Sequence, residues 1–426
     1  MPVLTFQAIE LPWRIYLPGF FAQVLGLPLA MVGALLMGIR LFDMVLDPFI
    51  GWASDRFPTR FGLRRPWMAV GVPLVVMGTW QVFFARSGIG MPALTAWCLV
   101  MHLGYTLMLT PHGGWGLEIA ADAHQRTRIM GAKVWIAAAG MPLIIVLPSL
   151  MERLWGAGRA GQMAAMGVLL MVLAPVSVLL VLRQIPEPPV DRVMARRAVN
   201  PLRLLGTILR DRALVQILGL YALVGLADAS SAGTFVFFVE QGLGLKGWGS
   251  TLVLVQGLVV IVTLPLWAAM SRRIGKRRTL LLVYGWQALM APLALVLPGG
   301  QMAPLVLFLV LRNMSWGADY MLLRAMVADV CGQEAEQGLR RSGSYYALFN
   351  VTIKLAMGIG IGMALWALER AGFTPGLAPS GHAVLALRLV YSLPSALAGL
   401  VGVLLLAGGV GSRMRAASHP GALVSR

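Results

Sequence analysis

Two aspartates four residues apart, Asp43 and Asp47, lie in an apolar stretch long enough to form a helix. Residues at this spacing share one helix face, so the two carboxylates would be neighbours. In apolar surroundings they cannot both stay ionised unless one takes up a proton or a cation binds between them. Arg40, one turn earlier, could neutralise part of the charge. The spacing predicts a site for a coupling ion; the alternative is a structural ion-pair cluster in a helix distorted by Pro48.

A lysine interrupts a second apolar stretch near the C-terminal end of the chain. An amine in such surroundings must pair with a carboxylate or remain in water, and Lys354 is the residue concerned. Asp319 or Asp329 could supply the carboxylate from the same part of the chain. Alternatively, Lys354 reaches across a cavity and alternates with protons on the aspartate pair.

Other polar residues within apolar stretches could contact a solute. Aromatic faces stack on sugars while charged and amide groups hydrogen-bond to hydroxyls, so aromatic and polar residues near one another favour a sugar-like ligand. Glu10 also has a simple alternative, an i,i+4 pair with Arg14. The candidate substrate-binding residues are Gln7, Glu10, Arg40, Trp115, Glu118, Lys133, Asp319 and Tyr320.

The composition is that of a membrane protein. Hydrophobic residues form 58% of the 426 residues, charged residues only 12%, and the mean hydropathy is +0.78. Soluble proteins carry about a quarter charged residues, so this chain lacks the polar surface that water requires. The net charge of +18 does not indicate a nucleic-acid partner, because the basic residues concentrate in alternate loops. That alternation is typical of cytoplasmic loops and predicts that both termini are cytoplasmic.

Twelve apolar segments are long enough to cross a bilayer. We therefore predict an all-α membrane protein with twelve transmembrane helices in two six-helix halves, residues 1–183 and 214–408. A cytoplasmic linker would span residues 184–213 and a cytoplasmic tail residues 409–426. The predicted spans are residues 11–27, 29–51, 67–85, 93–117, 130–151, 163–182, 214–239, 250–270, 279–298, 303–325, 344–368 and 384–408.

A basic loop recurs at the same place in each half. The sequence GWASDR followed by RR, at residues 51–65, is echoed by WAAMSR followed by GKRR, at residues 267–278. Two six-span halves that each carry this loop resemble the major facilitator superfamily, whose halves rock around a site near the membrane midplane. We expect the loops to stabilise one state of the transport cycle through Asp55, Arg56, Arg64, Arg65, Arg272 and Lys276.

The segment GIRLFDMVLDPFIGWASDRFPTRFGLRRPW, at residues 38–67, is similar to the glycoside–pentoside–hexuronide:cation symporter family. Further likeness lies at residues 111–133 and 325–354 and extends over nearly the whole chain. The resemblance implies that Asp43, Asp47 and Thr106 bind the cation while Lys354 faces them. It also implies that Lys133 replaces an arginine that helps to hold sugar.

Three positions depart from the family pattern. Gln7 and Leu109 stand where the melibiose permease has sugar-holding acids, which argues against a galactoside held in the same way. Leu46 stands where the family has an amide that helps to bind Na⁺. Loss of an oxygen ligand weakens Na⁺ binding more than protonation, so we predict H⁺ as the coupling ion, with Na⁺ as the alternative.

The sequence therefore predicts a transporter in the plasma (inner) membrane, a monomer without cofactors, that couples cation flow to symport of a sugar-like solute. A major facilitator protein that exports or facilitates a lipid, drug or amino-acid-like solute is the nearest alternative. An intramembrane prenyltransferase is remote, because such enzymes need a second Asp-rich motif and Asp319 and Asp329 are separated by Arg324. We do not expect an enzyme.

Overall fold

The computed structural model describes residues 2–57, 59, 61–62, 64–118, 123–185, 212–336 and 342–408. Within these ranges, the backbone but not the side chain is described for residues 55–56, 114, 116–118, 123–135, 138–139, 213, 330–336 and 342–347. The described part of the chain is helical and contains no strand, only an isolated bridge between Thr59 and Gly62.

The chain divides into two compact units. The first contains residues 1–197 together with the short segments 247–254 and 374–377, and the second contains the remainder. The first unit holds α1 (Pro2–Leu11), α2 (Leu17–Gln23), α3 (Leu29–Arg56), α4 (Arg65–Phe83), α5 (Met91–Glu118), α6 (Ala123–Trp155) and α7 (Arg159–Gln184). A π-helical turn, Pro12–Tyr16, joins α1 to α2.

The helices that follow belong wholly or mainly to the second unit. They are α8 (Arg212–Phe237), α9 (Gly249–Ile274), α10 (Lys276–Met290), α11 (Met302–Asn313), α12 (Ala318–Glu336), α13 (Ser342–Arg370) and α14 (Gly381–Ala407). A π-helical turn, Phe238–Gly242, ends α8, and a 3-10 turn, Ala291–Leu295, ends α10.

Eight helices of the described chain are long and apolar enough to cross a membrane. The helices of three predicted spans outside this set are irregular or polar. The first contains the π-helical turn Pro12–Tyr16 and the charged residues Glu10 and Arg14, and the ninth tightens into the 3-10 turn after Met290. The tenth, predicted as one helix over residues 303–325, breaks between Asn313 and Ala318. The fifth falls in α6, part of whose side chains lie outside the description, so the count of twelve stays a prediction.

The break between α11 and α12 has a local cause. Gly317 has a φ of +81°, a conformation that side-chain-bearing residues rarely adopt, and it starts the chain in a new direction. Indole N–H groups then satisfy carbonyls that the break frees: Trp286 donates to Leu311 at 2.7 Å and Trp267 to Met314 at 2.6 Å. A backbone that leaves helical geometry inside a membrane protein needs such partners.

Helices α4 and α5 are in contact through glycines. A Cβ atom added at Gly71 would lie 2.7 Å from the carbonyl oxygen of Gly104, and one at Gly78 would lie 2.6 Å from the Cβ of Met101. Small residues allow such close approach between helices in membranes, where packing rather than exclusion of water drives association. This contact fixes α5, which carries several of the polar residues described below.

Candidate functional site

A buried aspartate–histidine pair forms the centre of the polar cluster in the first unit. Asp43 on α3 is fully buried, and its two carboxylate oxygens lie 3.1 and 3.0 Å from Nδ1 of His102 on α5. The His102 ring is also buried and packs edge-on against Trp13, with 4.3 Å between ring centroids. Because both groups can gain or lose a proton, the pair can store one proton in the membrane interior.

Arg40 connects this pair to the first helix. Its guanidinium donates to both carboxylate oxygens of Glu10, at 3.0 and 2.6 Å, and lies 3.5 Å from Asp43. The hydroxyl of Tyr105 donates to the same Glu10 carboxylate at 3.0 Å. Glu10 thus has partners on α3 and α5, while its i,i+4 pairing with Arg14 stays a prediction. Bidentate geometry of this kind gives strong, oriented ion pairs.

Asp47 has surroundings different from those of Asp43. It is half-buried, and the Thr106 hydroxyl donates to its Oδ1 at 3.3 Å. The structure thus brings three of the predicted cation-coupling residues, Asp43, Asp47 and Thr106, to one region of the α3–α5 contact. Although the two aspartates share one helix face, they differ in burial and in partners, so the two carboxylates lie in different environments.

A second polar cluster lies in the second unit around the break between α11 and α12. The carboxylate of Asp228 on α8 accepts from the Trp316 indole and the Tyr320 hydroxyl, both at 3.0 Å. Asp319 accepts from Gln287 at 2.9 Å and from the backbone N–H of Tyr320 at 2.8 Å, so it caps the start of α12. Of the predicted substrate-binding residues, this unit supplies Asp319 and Tyr320.

Lys354 lies half-buried on α13 in the second unit. The carboxylate considered as its partner, Asp329, is engaged elsewhere: both of its oxygens lie 2.6 Å from the Lys276 amine. Asp319 likewise has other partners. A role for Lys354 in coupling stays a prediction.

Basic residues of the repeated loops donate to backbone carbonyls of other helices. Arg64 donates to the carbonyl of Pro111 at 3.1 Å and Arg65 to that of Ile185 at 2.8 Å. Lys276 pairs with Asp329 and donates to the carbonyl of Ala325. Of these contacts, that of Arg65 lies at a helix C-terminus, where a cation is stabilised by the helix dipole. Arg272 is exposed.

The remaining predicted positions fall into two groups. Trp115 is buried, with the Arg65 guanidinium 5.9 Å from its ring centroid, and Gln7 is half-buried on α1. Four predicted side chains lie outside the described residues: Asp55, Arg56, Glu118 and Lys133.

Sequence reasoning missed four residues that complete these clusters: His102, Tyr105, Asp228 and Trp316. For His102 and Tyr105 a signal was present. They lie four and one residues before Thr106, on the helix that the resemblance already assigned to the cation site. Asp228 was visible as a charge within an apolar segment, but its aromatic partners are distant in the sequence.

The described part of the chain is all-helical, with apolar helices of membrane-spanning length and buried charged clusters, as expected of a multi-pass membrane protein. The family model for MFS/sugar transport proteins matches residues 1–407, and the chain belongs to this family.

Relatives refine the assignment. The chain is 25% identical to the glucuronide carrier protein homolog of Escherichia coli (89% of this chain, 84% of the relative). It is 23% identical to the isoprimeverose transporter of Lactiplantibacillus pentosus (88% and 80%) and to the sodium-dependent lysophosphatidylcholine symporter 1 of Gallus gallus (88% and 79%). These relatives confirm the resemblance to the glycoside–pentoside–hexuronide:cation symporter family.

The fold has a solved counterpart. A structure of the nucleoside transporter NupG superposes with a TM-score of 0.72 over 95% of this chain and 98% of that one, at 12% identity. At this identity the match supports the fold alone.

Proposed function

We propose that the protein is a proton-coupled symporter of a sugar-like solute in the plasma membrane. The observation that carries this proposal is the contact of His102 Nδ1 with both oxygens of the buried Asp43. A proton gained or lost by this pair changes the charge of a desolvated cluster that also contains Arg40 and Glu10. Such a change in charge alters the relative free energies of the conformational states, so it can favour one state of the transport cycle over another.

The ligands around Asp43 favour H⁺ over Na⁺. Hard cations are bound by oxygen atoms, whereas the groups nearest to this carboxylate are the His102 nitrogen and the Arg40 guanidinium. Leu46 supplies no oxygen from its side chain. In addition, Nε2 of His102 is buried and has no hydrogen-bond partner among the described residues, so it offers a position for a second proton. Asp47 and Thr106 offer oxygen atoms, so they are the part of the cluster that would suit Na⁺ better.

The solute is proposed to be sugar-like because relatives are named for a glucuronide and for isoprimeverose. The cluster of Asp228, Trp316 and Tyr320 offers a carboxylate acceptor and two aromatic rings, which suit a sugar. Twelve spans, cytoplasmic termini, a monomeric state and alternating access by rocking of the halves belong to the same proposal.

A lipid-like cargo is the second candidate. The similarity to a lysophosphatidylcholine symporter over 88% of the chain favours it, and the name of that relative includes sodium dependence. The uptake experiment below therefore varies both the transported solute and the ion gradient.

Uptake by proteoliposomes tests the proposal. Protein reconstituted into vesicles is given an inward H⁺ gradient or an inward Na⁺ gradient with labelled methyl glucoside, methyl glucuronide or lysophosphatidylcholine outside. We expect accumulation of a glycoside driven by the H⁺ gradient, abolished in Asp43→Asn and retained in Glu369→Gln, which removes an exposed acid. Accumulation that follows only the Na⁺ gradient, or only the lipid, would overturn the proposal.

A further inference from the structure

A half-buried arginine in the second unit has only neutral partners among the described residues. Arg312, in the last turn of α11, donates through Nη2 to the hydroxyls of Ser231 at 2.9 Å and Ser395 at 3.0 Å. Its guanidinium carbon lies 4.7 Å from the centroid of the Tyr391 ring. Serine hydroxyls and an aromatic face stabilise a cation, but none of them neutralises its charge.

Some cations of the described chain pair with carboxylates, whereas others, like Arg312, donate to neutral groups. Arg40 pairs with Glu10, and Lys276 pairs with Asp329. Arg388 donates to the carbonyl of Leu295, where the 3-10 turn ends. Among the described residues no carboxylate lies within 4 Å of the Arg312 guanidinium. A charge inside a membrane protein is costly, and one without a counter-ion is a functional site by default.

Polar atoms beside Arg312 are also unused. Nε of Arg312 and the hydroxyl of Tyr391 are buried and have no hydrogen-bond partner among the described residues. Tyr391 is held in place because its ring stacks on Phe238, with 4.2 Å between centroids and 11° between planes. A guanidinium has five N–H donors, of which only those on Nη2 are engaged here. The cluster can therefore donate further hydrogen bonds to an acceptor.

The position of the cluster in the fold favours a ligand. Arg312 directly precedes the break between α11 and α12, and interrupted membrane helices mark the binding sites of many transporters. Trp316 and Tyr320 follow at intervals of four residues, and both are oriented by Asp228.

We propose that Arg312, with Ser231, Ser395 and Tyr391, binds the anionic group of the transported solute, a carboxylate or a phosphate ester. The planar guanidinium matches the two oxygens of such a group. The aromatic pair Trp316 and Tyr320 would contact the uncharged body of the same molecule. The inference rests on the proposed transport of a solute and specifies that this solute is an acid.

Binding measurements separate the anion site from transport. Purified protein in lipid nanodiscs is titrated with methyl β-glucuronide, the neutral methyl β-glucoside, and glycerophosphocholine as the phosphate ester. We expect one of the two solutes that carry an anionic group, the glucuronide or the zwitterionic phosphate ester, to bind about tenfold or more tightly than the glucoside. Arg312→Gln should remove this preference, whereas Arg388→Gln, which deletes another half-buried guanidinium, should retain it.

Arg312→Lys provides a second test if the glutamine variant does not fold. It preserves the charge but not the bidentate geometry, so it should lower affinity for the anion about tenfold while leaving the neutral solute within about twofold. Equal affinity of the wild-type protein for anionic and neutral solutes, binding of none of the three, or a preference that survives Arg312→Gln, would overturn the inference.

The two proposals fail in different ways. Anion binding that depends on Arg312 but is accompanied by no H⁺-driven uptake would support the anion site and contradict proton-coupled symport. Conversely, H⁺-driven uptake of the neutral glucoside that is unaffected by Arg312→Gln would support symport and overturn the anion site.

Discussion

Replacement of His102 by Gln tests whether the Asp43–His102 pair carries the coupling proton. The amide of Gln cannot bind a proton, and it replaces the imidazole whose Nδ1 contacts Asp43. A hydrogen bond to a charged group contributes about 1.5–3 kcal/mol. At 1.4 kcal/mol for each factor of ten, its loss changes a binding equilibrium about 10- to 100-fold.

We therefore expect His102→Gln to reduce H⁺-driven solute accumulation by about tenfold or more. Exchange of labelled for unlabelled solute across the vesicle membrane, with no ion gradient, should stay within about twofold of wild type. The two assays differ because exchange needs no net proton transfer, whereas accumulation does. A purely structural role for His102 would depress both rates together.

His112→Gln is the matched control. This histidine lies on the same helix, is half-buried and packs edge-on against Phe6 with 5.4 Å between ring centroids. Its replacement should leave accumulation unchanged. Unchanged accumulation in His102→Gln, or an equal loss in both histidine variants, would refute the reasoning.

Two further predictions concern stability. Arg40→Gln should lower the free energy of unfolding by about 3 kcal/mol or more, because it leaves the partly buried Glu10 carboxylate without its guanidinium. Gly71→Val should lower it by about 1–3 kcal/mol, because the new side chain would overlap the backbone of the facing helix α5. Unfolding in mixed micelles of increasing SDS content measures both changes.

Each stability prediction has a control within the chain. Lys276→Gln removes a cation whose pair with Asp329 is about 30% exposed, so its cost should not exceed about 1 kcal/mol. Gly38→Val places a side chain where no other atom lies within 4 Å, so it should be nearly neutral. Costs for these controls equal to those of Arg40→Gln and Gly71→Val would contradict the packing and pairing arguments.

The sequence predicted part of the polar cluster around Asp43 and Asp47, whose role in cation coupling stays a proposal. The spacing of Asp43 and Asp47 placed both on one helix face, and the resemblance added Thr106, which does contact Asp47. It could not assign His102 to Asp43, because 59 residues separate them and only the packing of α3 against α5 brings them together. Their different burial likewise depends on tertiary contacts that a helical repeat does not encode.

The positions of the apolar segments could also be predicted from the sequence, but the breaks within their helices could not. Hydropathy averages over a window of about 19 residues and so passes over a break of four. The break before Ala318 depends on the backbone conformation of Gly317 and on indole donors from two other helices. Glycine alone was no signal, because most glycines in the described helices keep ordinary helical geometry.

The glycine contact between α4 and α5 has a mechanical consequence. Two helices whose backbones touch cannot slide past each other without a steric clash, so we expect them to move as one rigid lever. One end of that lever carries Arg65, which is bound to the carbonyl of Ile185, and its body carries His102 and Thr106. If a proton bound at His102 tilts α5, α4 would move with it and the contact of Arg65 with Ile185 would be strained. Proton binding in the membrane interior would then reach the basic loop through the two helix backbones, and no relay of side chains would be needed.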